Sequence, residues 1–303
     1  MPNIFEKLSQ FLENSAKNAT HPLVVILGPT ASGKTALSLE IAKLFKGEII
    51  SADSRQIYKY IDIGTGKIHL NKRQGIVHHM LDILEPDKEF SVADFKRLAL
   101  KIIREILSRR RLPIVVGGTG LYLNALLENY QIPQIPPQHG LREELYEIYR
   151  KNGAETLYKM LEEKDPDEAR RIHPNNVRYV IRALEINIIG NTTKKDTKAS
   201  PLFDTFLIGI EWSREHLYER INQRIDEFMD KGFLNEVKTL LMKGYDEKLP
   251  ALSSLGYHEL MAYLRGECTL QTAVENFKKN TRNYSKRQTT WFRRCQNVNW
   301  LQG

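Results

Sequence analysis

Residues 28–35, GPTASGKT, match G-x-x-x-x-G-K-[ST] in full, between an apolar run (LVVIL, 23–27) and a helical pattern. A strand before and a helix after are the context that a phosphate-binding loop requires. There the loop of Gly28, Pro29, Thr30, Ala31, Ser32 and Gly33 lets backbone N–H groups, all but that of Pro29, which has none, converge on a phosphate at the positive end of the helix. Lys34 adds a point charge, and the Thr35 hydroxyl can ligate Mg²⁺. This loop reads phosphate groups and does not by itself say that ATP carries them. Asp53 stands just past the carboxyl end of a second short strand (48–51), where ligands of open α/β sheets collect. A carboxylate there suits metal ligation or proton removal from a nucleophile. It suits a helix N-cap equally, because Ser51, Asp53 and Ser54 are all capping types.

Several nucleotide-hydrolase readings fail on spacing. No Asp has Gly three positions later, so the D-x-x-G switch of GTPases is absent. TKKD (193–196) matches a guanine-reading pattern but lies in a polar linker, and is read as chance. The apolar strand 113–116 ends in Gly117-Gly118, which leaves only Asp53 or Glu211 as the metal-binding acid a motor ATPase needs. His78, His79, His173 and His258 have no partners at ligand spacing and are read as structural hydrogen bonders.

The charge is unevenly placed. The chain of 303 residues carries 45 Lys and Arg against 37 Asp and Glu, a net of +8. Seven bases and no acid lie in residues 276–303. Such local basicity points to an anionic partner, most often nucleic acid. On a helix turning about 100° per residue, Lys279, Arg282, Lys286 and Arg293 fall within about 60° of one another. Phe277, Tyr284 and Trp291 cluster on the other side, so a helix docked through its aromatics would offer a basic ridge to a phosphate backbone. Arg170, Arg171, Arg178 and Arg182 make a second basic surface.

The elements that must position these groups alternate. Strands at 23–27, 48–51, 113–116 and 206–211, with helices after the phosphate loop and at 93–109, predict a parallel sheet flanked by helices. A Pro-rich connector (131–140) and helices over 141–188 predict an all-helical insertion. The expected organisation is an amphipathic helix in 1–20 (Ile4, Phe5, Leu8, Phe11 and Leu12 on one face), a phosphate-loop core over 21–128 and 202–303, and the insertion over 129–201. With 41% hydrophobic and 27% charged residues the chain is neither disordered nor fibrous. No apolar run approaches the ~18–20 residues that span a membrane. Two cysteines are too few for a disulfide scaffold. Without a signal-peptide pattern, a cytoplasmic location is expected.

Taken in order, GPTASGKT, DSRQIYKYIDIGTGK (53–67), VGGTGLYLNALL (116–127), DPDEARRIHPNN (165–176), IRALEI (181–186), LGYHEL (255–260) and KRQTTWFRR (286–294) resemble the tRNA dimethylallyltransferases, also called tRNA isopentenyltransferases. The resemblance runs from about Leu23 to Trp300 and is to the bacterial form, without the zinc-finger tail that eukaryotic members often add. It implies a phosphate-loop core with a helical insertion. It also implies transfer of the dimethylallyl group of dimethylallyl diphosphate to N6 of the adenine beside the anticodon of tRNA (position 37), with Mg²⁺ and without ATP. On family positions Asp53 accepts the N6 proton, Thr30 lies near the transferring centre, and Thr119 faces the substrate. Arg224 is the first choice, before Arg220, for an arginine on the diphosphate, although an ion pair with Glu219 or Glu227 competes. The tRNA-contact segments correspond to Asp53, Ser54, Arg55 and Gln56, to Arg178 and Arg182, and to Lys286, Arg287 and Arg293, with Thr119, Lys279 and Arg282 beside them. A basic residue is usual in the family where Tyr179 stands here. The anticodon stem-loop is thus the expected partner, and a monomer the expected state. The rival readings are an adenylate isopentenyltransferase acting on free AMP, which needs no basic ridge, a small-molecule kinase, and a nucleotide-dependent RNA-binding switch.

Overall fold

Asn3 accepts hydrogen bonds from the Phe5 and Glu6 amides while its own amide donates to the Glu6 carboxylate. This reciprocal cap starts α1 (Ile4–Lys17). There follow β1 (Pro22–Leu27), α2 (Lys34–Leu44), β2 (Gly47–Ser51), β3 (His78–His79), α3 (Val92–Ser108), β4 (Leu112–Gly117) and α4 (Gly120–Leu127). Next come β5 (Tyr130–Gln131), α5 (His139–Lys164), α6 (Pro166–Ala169), α7 (Val177–Gly190) and β6 (Thr197–Lys198). The chain ends with β7 (Asp204–Glu211), α8 (Arg214–Asp230), α9 (Phe233–Met242), α10 (Tyr257–Leu264), α11 (Leu270–Phe292) and β8 (Val298–Gln302). This computed structural model describes residues 3–133, 135–190 and 197–303, in two units: Met1–Leu127 with Pro201–Gly303, and Glu128–Ser200. The TKKD tetrapeptide lies outside the described residues.

The first unit is built on a six-stranded sheet of order β3-β2-β4-β1-β7-β8, every neighbouring pair parallel. Alternation along β1 divides its side chains between two cores. Leu23, Val25 and Leu27 join Ile50, Val115 and Phe95 on one face, and Val24 and Ile26 join Ile49, Ile114 and Leu8 on the other. A parallel sheet covered on both faces needs such unbroken apolar strands, which is why β1 and β4 are legible in the sequence. The stripe of α1 packs on the second face, with Phe11 5.3 Å from the Phe206 ring, and the Ser15 hydroxyl donates to Asp204 at 2.6 Å. Register brings Leu27 beside Gly117 and Ser51 beside Val116, so the carboxyl ends of β1, β2 and β4 open on one edge.

Two strands of this sheet were not expected. β3 is two residues long, and β8, at the opposite edge, follows its helix almost directly and lacks an unbroken apolar run. Both are edge strands, for which periodicity is weak evidence.

In the second unit Leu157, Leu161, Val180 and Leu184 form the core between α5 and α7, and α5 is interrupted at Gly153. The fully buried Glu185 carboxylate accepts from Arg142 twice at 2.9 Å, from Arg182 at 2.5 Å and from the Gln138 amide at 2.6 Å. The unit is not all-helical: Tyr130 and Gln131 pair antiparallel with Lys198 and Thr197, in segments too short to carry a pattern. No helix among the described residues is long and apolar enough to cross a membrane.

Candidate active site

The chain leaves β1 at Leu27, turns, and enters α2 through Gly33 at φ +99, a left-handed conformation that glycine adopts without penalty. Ala31 also sits at positive φ (+62), so the loop stores strain that its surroundings must hold. Those surroundings are specific. Trp212 Nε1 donates to the Ser32 carbonyl at 3.0 Å, and Arg220 Nε to the Ala31 carbonyl at 2.9 Å, with the Arg220 guanidinium 4.3 Å from the Trp212 ring. Lys34 Nζ donates to the carbonyls of Gly28 (2.9 Å) and Pro29 (2.6 Å). The first amides of α2 have no intrahelical acceptor and point toward the loop. The Ser32 hydroxyl is buried with no hydrogen-bond partner.

The loop forms one wall of a cavity of about 480 Å³ inside the first unit. Its lining includes Thr30, Ser32, Lys34 and Thr35 from the loop and the start of α2, Asp53 and Gln56 from the segment after β2, and Arg220 and Arg224 from α8. The Arg224 guanidinium packs against the Gly66 backbone and lies 5.1 Å from the Phe228 ring. Withdrawal from water and the neighbouring Arg224 charge pull Lys34 down to about 7, against an opposing pull from Asp53. Burial also lowers Arg224, partly offset by Asp53 and Glu227. The cavity thus gathers the Lys34 and Arg224 cations with the Asp53 carboxylate within electrostatic reach of both.

Asp53 combines a cap with a place on the cavity wall. Its Oδ1 accepts from the Arg55 amide at 2.8 Å and the Gln56 amide at 3.4 Å, as a cap would, and the residue still lines the cavity. Gly28, Pro29, Ser54, Arg55 and Thr119 stand outside the lining. The Thr119 hydroxyl accepts from the Ser54 amide at 3.2 Å, and the Arg55 guanidinium donates to the Pro250 carbonyl. Gln56 Nε2 donates to the Thr65 carbonyl at 3.2 Å, tying one wall to another. Neither Arg220 nor Arg224 forms an ion pair with Glu219 or Glu227 among the described contacts; both line the cavity.

Among the lining residues that escaped the sequence reading are Tyr284 and Gln288, one turn apart on α11. On the helical wheel both lie about 20° from Phe277, so the face read as an aromatic docking surface also looks into the site. Burial and the Asp53 charge push the Tyr284 hydroxyl up to about 12. Among the described residues, its ring is the only aromatic group on the lining.

The expected ridge is shorter than the wheel implies. Lys279, Lys286 and Arg293 are exposed. Arg282 is not free on that face: its Nη1 donates to Asn222 Oδ1 at 2.7 Å, because α8 packs alongside. Arg287 leans toward the Tyr284 ring at 5.7 Å. In the second unit Arg178 is exposed, as is Tyr179 (48%), whereas Arg182 is engaged by Glu185 and the Ile135 carbonyl. Arg282 and Arg182 are thus half-buried and spend part of their donors on internal partners.

A parallel sheet with a phosphate loop at its carboxyl edge, and arginines and a carboxylate lining the same cavity, defines an α/β phosphate-loop transferase. The family model for IPP transferase matches residues 56–295, and that for isopentenyl transferase residues 21–87. The chain belongs to the tRNA dimethylallyltransferase (IPP transferase) family, and it is a prenyl-transferring enzyme. It is 50% identical to the tRNA dimethylallyltransferase of Acetivibrio thermocellus over 92% of this chain and 91% of that protein. The crystal structure of the full-length tRNA isopentenylpyrophosphate transferase from Bacillus halodurans superposes with a TM-score of 0.70 at 42% identity, covering 93% of this chain and 90% of that one. A eukaryotic dimethylallyltransferase described as acting on tRNA gives a TM-score of 0.79 at 30% identity, over 93% of this chain and 74% of that one.

Proposed function

We propose that this enzyme transfers the dimethylallyl group of dimethylallyl diphosphate to N6 of the adenine beside the anticodon of tRNA, at position 37, and releases diphosphate. The observation that carries the reading is a cavity lined together by the phosphate loop, Arg224 and Asp53. The names of the relatives supply the substrates.

The chemistry follows from that placement. As the allylic C–O bond breaks, negative charge grows on the leaving diphosphate, and fixed donors lower the barrier where it grows. Lys34, Arg220, Arg224 and the first amides of α2 are those donors, with the Ser32 hydroxyl as a further one. Adenine N6 is a weak nucleophile because its lone pair is delocalised into the ring. Asp53 takes the N6 proton as the N–C bond forms. Thr30, in the loop, lines the same cavity as the carboxylate, and Tyr284 offers a ring face to the five-carbon chain. The target base must leave its stack to enter.

Mg²⁺ fits these residues. No group of three or more His, Cys, Asp or Glu among the described residues could hold a metal by itself, whereas the exposed Thr35 hydroxyl opens α2 on the cavity wall. Mg²⁺ keeps several waters and takes oxygen ligands from substrate phosphates, so Thr35 with the diphosphate would hold it. When bound it would supply positive charge to the leaving group.

The deciding assay incubates labelled dimethylallyl diphosphate and Mg²⁺ with unmodified tRNA in one tube and AMP in another, without ATP. Label in tRNA alone is expected. Label in AMP alone would make the enzyme an adenylate isopentenyltransferase, and an ATP requirement would revive the kinase reading.

The RNA side has its own test. Exposed Lys286 and Arg293 contact the tRNA backbone, with Lys279, Arg287 and Arg178 as further cations. Replacing Lys286 and Arg293 by Ala is expected to weaken tRNA binding and to reduce the slope of log K against log salt by about 1 per lost phosphate contact. An unchanged slope would mean that this face of α11 looks away from the RNA. The same double change at Arg282 and Arg182 is expected to act on stability first.

A further inference from the structure

We infer that Gln288 is a positioning residue of the transfer site, the side chain that fastens the phosphate loop to the end of β4. Its Oε1 accepts from the Thr30 amide at 2.9 Å, and its Nε2 donates to the Gly118 carbonyl at 2.9 Å. The donor and acceptor on the backbone fix which way the amide faces. Only a side-chain amide of this length satisfies both partners at once. Gln288 is 6% exposed, and its two bonds join segments separated from it by 258 and 170 residues of chain.

Three features of the loop show what the bridge does. The Thr30 amide is committed to Gln288, so it is removed from the donors that a phosphate can use, and the backbone is held where the Thr30 hydroxyl faces the cavity. The next residue, Ala31, is in the left-handed region, a conformation that persists only where its surroundings over-determine it. Position 118 is glycine where a Cβ would come within 2.4 Å of Gln288 Nε2, so any other residue there would push the amide away. Loop strain, bridge and glycine form one device that pre-shapes the diphosphate cradle. The role of Thr30 rests on the function proposed above; the grip on the loop does not.

The test uses the full-length enzyme with inorganic pyrophosphate and Mg²⁺ as the probe. Gln288→Met keeps length and burial but neither donates nor accepts. Pyrophosphate is expected to bind about tenfold more weakly to this variant, and the KM for dimethylallyl diphosphate to rise in step, with tRNA affinity unchanged. Trp291→Leu is the control. It lies on the same helix, packs on Gly120 and donates to Asn124 at 3.4 Å, so it disturbs helix docking without touching the loop. Pyrophosphate affinity within about twofold of wild type in folded Gln288→Met, or an equal loss in Trp291→Leu, overturns the inference. Should Gln288→Met not fold, amide exchange in the wild-type enzyme decides. Protection of the Thr30 amide supports the bridge, and exchange at the rate of an unbonded loop amide removes it. If wild-type enzyme failed to label tRNA, the proposed function would fall while the pyrophosphate comparison would still read the bridge.

Discussion

Asp53→Asn is expected to lower dimethylallyl transfer by roughly 10²–10⁴-fold, the usual worth of a placed general base, while tRNA binding and thermal stability stay near wild type. The choice of Asn follows from the dual role of this carboxylate. Oδ1 caps the turn after β2 by accepting from the Arg55 and Gln56 amides. Asn caps as well as Asp, whereas Asp53→Ala would cost about 1 kcal/mol of stability and confuse lost chemistry with a loosened wall. An amide oxygen still accepts those hydrogen bonds but cannot take the proton of adenine N6. Single-turnover transfer with labelled donor, a tRNA filter-binding curve and a melting curve separate the two roles. Near-normal turnover in Asp53→Asn would remove the residue from proton transfer and leave it as a cap.

The second large effect concerns Lys34. Lys34→Met is expected to reduce transfer by about 10²–10³-fold, since one fixed donor at a site of developing charge is commonly worth that much. Its pH dependence is more diagnostic. The ammonium stands at about 7 without ligand, because burial and Arg224 disfavour the charged form. A bound diphosphate brings opposite charge beside it and raises that value. Above pH 7, therefore, the free enzyme has lost a proton that the complex retains, and binding must take one up. Relative to Lys34→Arg, which keeps its charge throughout, wild-type affinity for the diphosphate is expected to fall by up to about tenfold per pH unit above 7. Below pH 7 the two should run parallel. The ratio of the two enzymes cancels titration of the ligand itself. Parallel curves from pH 6 to 9 would show that Lys34 is already charged in the free enzyme.

The comparison between Lys286 and Arg282 shows where sequence patterning stops. Both fall on the same stripe of the α11 wheel, yet one is exposed and the other donates to Asn222 on α8. A helical wheel ranks directions around one axis and contains nothing about which neighbour arrives on a given side. Arg182 differs from Arg178 partly for a local reason, since Glu185 stands three residues on along α7, whereas only the fold brings the Ile135 carbonyl against it.

What the sequence by itself determined is the part of the protein whose physics is local. Eight contiguous residues define the phosphate loop, because its cradle is made of consecutive backbone amides and two adjacent side chains. The central strands β1 and β4 are legible because burial on both faces demands unbroken apolar runs, and Asp53 because it immediately follows a strand. The tertiary structure decided the rest of the cavity. Tyr284 and Gln288 reach the loop only once α11 has docked, across 258 residues in the case of Gln288 and Thr30. It also decided which cations remain on the surface, since a charge is exposed or spent according to partners that arrive from elsewhere in the chain.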